Sequence, residues 1–138
     1  MEHYPVVLQR ARQEAPIAAA FVFDEDADDC TLTLQYEGRE VSATADDYFE
    51  AMCQIRRQLA ADEMTPMCYG ASENVFPSGM AREMGQGLKA YRLTVGQPTK
   101  TADLVSIFAS GPDVLPATVE RQAAYFQVWL KSLGLQVP

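Results

Sequence analysis

Histidine is nearly missing from this chain. Its one copy, His3, lies close to the N-terminus. A Ser-His-acid triad would have to recruit it, and a zinc site built on several histidines is excluded. Cysteine is scarce and odd in number. Cys30, Cys53 and Cys68 are widely spaced and form no CxxC pair, which speaks against a disulfide framework or a thiolate metal cage. They read as small apolar residues in or near a core. No P-loop, GxSxG or HExxH motif occurs. These gaps remove many catalytic classes and leave enzymes built on carboxylate, Tyr, Arg or Lys chemistry.

Long apolar runs are also absent. None approaches the ~20 residues needed to cross a bilayer. The start, Met1-Glu2-His3-Tyr4-Pro5, lacks the basic and apolar stretches of a secretory signal. The chain therefore reads as mature, soluble and cytoplasmic, with no membrane partner. Positive charge is in deficit: 11 Lys and Arg against 19 Asp and Glu give a formal net charge of −8. Such a surface repels phosphate backbones and anionic lipid, so nucleic acid is not an expected partner. A basic protein or a cation suits it better.

The chain does have enough apolar residues for a core. They make up 48% of its 138 residues, and an ordinary 22% are charged. That composition fits one folded domain spanning residues 1–138. No internal repeat or low-complexity tract divides it.

Local patterns give the expected elements. Tyr4 to Glu14, opening at Pro5, reads as a short amphipathic helix stopped by Pro16. The apolar run Ile17 to Phe23 reads as a buried strand. Cys30 to Tyr36 alternates apolar and polar residues as a half-buried strand does, and Glu37-Gly38 turns it into a return strand from Arg39 to Ser42. Thr44 is an N-cap candidate for a helix over Ala45 to Ala61, with Tyr48, Met52, Ile55 and Leu59 on one stripe. Met64 to Tyr69 suggests a short strand. Ser78 can cap a helical turn that runs to Met84 and ends at Gly85. Leu88 to Val95 and Leu104 to Ala109 read as strands. Pro116 opens a final helix striped by Val119, Ala123, Phe126, Leu130 and Leu133, with Trp129 beside the stripe. Gly134 and Leu135 complete a Schellman ending. Hairpins dominate and no βαβ alternation appears. The expected fold is α+β: an antiparallel or mixed sheet of about five strands, with two main helices packed largely on one face.

Two segments carry candidate function. The first is the acidic turn Asp24, Glu25, Asp26, Asp28 and Asp29. Asp24, Asp26 and Asp28 imitate the first ligands of a calcium loop. However, Asp29 stands where the sharp bend needs Gly, Gln35 stands where a bidentate carboxylate is required, and the flanks read as strands. A solvated hairpin turn fits better, and no metal or other cofactor is expected. The second is the irregular stretch from Tyr69 to Gly87, since long connections in small domains often bind something. It holds Tyr69, Ser72, Glu73, Asn74 (the chain's only Asn), Ser78 and Arg82, with Tyr91 just beyond. Arg82 and the N–H groups after Ser78 could hold an anion. The GxG at Gly85 to Gly87 precedes a strand, which is the wrong order for a dinucleotide site. Cys68 lacks a histidine base, and its expected role is that of a buried thiol.

Two functions follow as expectations. The first is a protein-binding module of inhibitor or immunity type. Its acidic turn, with Asp46, Asp47 and Glu50, would cover a basic partner. The second is a small enzyme or anionic-ligand domain using the 69–87 loop, in which Arg82 is the anchor, Glu73 an acid or base, and Tyr69 and Tyr91 the pocket walls. The sequence leaves a homo-oligomer open.

Overall fold

The computed structural model describes residues 1–12 and 15–135. Four strands open the fold as an antiparallel meander: β1 (Glu2–Arg10), β2 (Ile17–Phe23), β3 (Cys30–Tyr36) and β4 (Arg39–Ala45). Helix α1 (Tyr48–Ala60) follows, and β5 (Met64–Pro66) returns to pair with the far side of β1. The sheet order is β4-β3-β2-β1-β5. A second, three-stranded sheet is built from β6 (Val75–Phe76), β7 (Lys89–Arg92) and β8 (Leu104–Ser106). The short α2 (Gly79–Met84) precedes β7, and α3 (Val119–Ser132) is the last element among the described residues. The α+β class is observed, with a wholly antiparallel five-stranded sheet and two main helices.

Alternation explains the large sheet. Val6 and Leu8, Phe21 and Phe23, and Cys30, Leu32, Leu34 and Tyr36 are buried at every second position and meet Phe49, Met52, Ile55 and Leu59 of α1. The neighbouring positions turn outward. There Thr31 bonds Thr44 and Thr33 bonds Ser42, each at 2.6 Å, across the open face. Glu37 and Gly38 both have positive φ (48° and 72°), the geometry of a tight hairpin turn whose twist matches the strands.

The first segment differs from expectation: Tyr4 to Arg10 is strand, not helix, and Ala11 and Arg12 form a turn. Glu14 lies outside the described residues. The determining pattern is Tyr4, Val6 and Leu8, which has a period of two. Pro5 is tolerated because of where its nitrogen points. Val7 accepts a bond from the Met67 N–H on the β5 side, and alternate residues in a strand face the same way, so Pro5 also faces that side. β5 begins to pair only at Leu8, so the missing N–H of Pro5 falls on an open edge. The two later strands leave the large sheet and join β6 in the small one.

The helix starts also shift. Thr44 is still paired in β4, and the cap of α1 is Asp47, whose carboxylate accepts the Glu50 N–H at 2.8 Å. Thr118, not Pro116, opens α3 by accepting the Arg121 N–H at 3.1 Å. The Schellman ending is present: the N–H groups of Gly134 and Leu135 reach the carbonyls of Lys131 and Leu130. No helix among the described residues is long and apolar enough to cross a membrane.

Candidate functional site

Strand pairing brings the acidic segments together. Cys30 pairs with Ala45, so Asp29 and Asp46 leave the sheet side by side. Tyr48, at the start of α1, reaches back to the carbonyl of Asp24 at 3.4 Å. The Cys30 thiol is pushed up, first by burial and then by the carboxylates of Asp47, Asp29 and Asp46. Asp24, Glu25, Asp26, Asp28, Asp29 and Asp46 are all exposed and join no ion pair among the described residues. Asp47 differs. It is buried and held by Arg82 Nε at 2.8 Å.

The 69–87 candidates separate into three places. Tyr69 donates to Asp113 at 2.6 Å, and Arg92 supports the same carboxylate at 3.3 Å. This bond raises the Tyr69 pKa and lowers that of Asp113. Ser72 is fully buried, donates to Asn74 at 2.5 Å and accepts the Leu115 N–H, while Glu73 pairs with Arg121 at 3.6 Å. The third place is α2. Ser78 caps it, and Arg82 lies against Asp47 and Glu50 with its guanidinium 5.5 Å from the centre of the Phe49 ring. Tyr91 is half-buried on β7 and borders a shallow apolar depression with Ser78, Met80 and Leu88. The plug of the segment is Phe76, stacked on Phe126 at 4.1 Å; Met80 stays exposed.

Beneath this segment lies a polar knot. Arg56 of α1 is 4% exposed and donates to the carbonyls of Gly70 and Ala117 and to Oε1 of Gln122 at 3.1, 2.8 and 2.6 Å. Gln122 of α3, 1% exposed, donates from Nε2 to the carbonyls of Gly70, Ser72 and Val75. Two side chains thus satisfy the irregular backbone that no sheet partner covers. Every oxygen that Arg56 reaches is neutral, and its Nε–H has no partner among the described residues. Burial pulls its pKa down.

Arg56 and Gln122 carry a signal in the sequence that stripe reasoning passes over. Arg56 is four residues after Met52 and three before Leu59. Gln122 is three after Val119 and four before Phe126. Each lies on the buried face of its helix, where a polar residue must have partners.

Cysteine chemistry is closed off. All three thiols are free and buried. Complete burial raises Cys68 to about 11, so it stays protonated and unreactive at neutral pH. Among the described residues no group of three or more His, Cys, Asp or Glu could hold a metal ion. No protein-family model matches the chain, and no curated protein matches it.

Proposed function

We propose that this domain is a cytoplasmic protein-binding module of inhibitor or immunity type, which covers a basic surface of its partner. One observation carries the reading: the exposed carboxylates of Asp24, Glu25, Asp26, Asp28, Asp29 and Asp46 share one end of the molecule and join no ion pair among the described residues. Each of them keeps its charge available to a partner. Facing a cationic surface, such an end speeds encounter and fixes orientation, and the sheet and turn then block the partner sterically. The alternative, an anionic ligand anchored by Arg82, has less support because that guanidinium is already engaged by Asp47 and Glu50.

The test is affinity capture from the source cells with two baits: wild type, and a variant carrying Asp24→Asn, Asp26→Asn, Asp28→Asn and Asp29→Asn. The expected result is one basic protein recovered with wild type in near-equal amount and released by salt. With the variant its association slows by about tenfold, since exposed charges act mainly on the on-rate. Equal recovery by both baits at all salt concentrations would sink the electrostatic reading.

A further inference from the structure

Arg56 also lines a cleft away from the acidic end. The walls are the last turn of α1 (Arg57, Ala60), β5 (Met64, Pro66) and the start of α3 (Thr118, Val119), and the volume is about 530 Å³. That size is typical of small-molecule sites. Three features bear on what could occupy it. First, Arg56 lines the cleft, is 4% exposed and makes no ion pair among the described residues. Its oxygen acceptors use both hydrogens of Nη1 and one of Nη2. The Nε–H is buried and has no partner among the described residues, on the edge that it shares with Nη2. A fork edge of this kind matches a carboxylate. Second, α3 is a 14-residue helix beginning in the wall. The N–H groups of Val119 and Glu120 have no carbonyl within the helix to bond, and the helix end favours negative charge. Third, most of the wall is aliphatic, and the exposed carboxylates Glu63 and Glu120 also border it. They repel a dianion such as phosphate more than a monoanion.

We propose that this cleft binds a small apolar monocarboxylate, its head between Arg56 and the start of α3 and its body against Met64, Pro66 and Val119. The proposal is independent of the acidic end.

Calorimetric titration of the full chain with octanoate, octan-1-ol and inorganic phosphate tests it. Octanoate is expected to bind at least about tenfold more tightly than octan-1-ol, the worth of a charge-assisted contact. Phosphate should not displace it. Two variants at exposed positions keep the test independent of the Arg56 knot. Ala60→Phe fills the cleft and abolishes binding of both chain compounds. Thr118→Asp keeps an N-cap but adds a negative charge at the head position, so it weakens octanoate by about tenfold and leaves octan-1-ol unchanged. Thermal melts matching wild type show both variants folded. Absence of octanoate binding, equal binding of octanoate and octan-1-ol, displacement by phosphate, or indifference to both variants would each overturn the proposal.

Discussion

Leu32 in the five-stranded sheet and Gln122 in α3 are equally hidden, at 0% and 1% exposure, yet they stabilise their surroundings in different ways. Leu32 belongs to an alternating strand whose backbone is satisfied by its neighbours, and it contributes apolar burial against α1. Gln122 sits under a stretch with short strands and few ladder bonds. It contributes three hydrogen bonds to carbonyls of that stretch and takes a fourth from Arg56. Where strands are long, side chains can be apolar because the backbone partners itself. Where they are short, buried polar side chains must do that work.

Four single substitutions test this contrast, beginning with the largest effect. Phe21→Ala, in the fully buried centre of β2, is expected to lower unfolding free energy by about 4 kcal/mol in urea titration, the usual cost of an emptied aromatic site. Gln122→Leu keeps the volume but strands the carbonyls and the Arg56 guanidinium. It should cost about 3 kcal/mol. A loss below about 1 kcal/mol would mean that packing alone holds the C-terminal layer, and the contrast would fail. The two sites share no hydrogen-bond partner, so the double variant should be additive within about 0.5 kcal/mol.

Tyr69→Phe removes the bond to Asp113 and should cost about 1 kcal/mol at neutral pH. Its pH dependence sharpens the result. The hydrogen bond from Tyr69 depresses the Asp113 pKa in the folded state. The stability that this brings is therefore present above the ordinary Asp value of about 3.9 and is lost as pH falls through the folded value. Wild type should lose more stability than Tyr69→Phe between about pH 5 and pH 2, and the gap between them should close in acid. A gap that stays constant over that range would remove the ionised carboxylate from the account. The smallest effect is Ser78→Ala at the cap of α2, about 0.7 kcal/mol. Amide exchange should report it as faster opening of 79–84 with the β2 and β3 amides unchanged.

Much of the fold is legible in single residues. Glu37-Gly38 marks the β3–β4 turn, Ser78 and Gly85 bracket α2, and Gly134 with Leu135 ends α3. Each of these is a local backbone requirement, so a short stretch of sequence carries it. β1 was harder to read because Pro5 and Val7 blur a two-residue period into something helical. The placement of Pro5 on an open edge depends on β5, which lies more than fifty residues away. The candidate residues of the 69–87 segment were legible as unusual, but not as members of three separate contacts. Arg82 illustrates the reason: its partners Asp47 and Glu50 are the cap and a first-turn residue of a different helix.

The sequence by itself determined the charge, the scarcity of histidine, the lack of P-loop, GxSxG and HExxH motifs, the α+β class and several element ends. Those properties are additive or local, set by composition and by neighbours within a turn or two of backbone. Only the tertiary structure decided that two acidic segments share one end, that the later strands form a sheet of their own, and that Arg56 is buried with no ion pair among the described residues, beside an apolar cleft. These depend on pairings between residues far apart in the chain, and the energy of burying a charge is set by what the fold places around it.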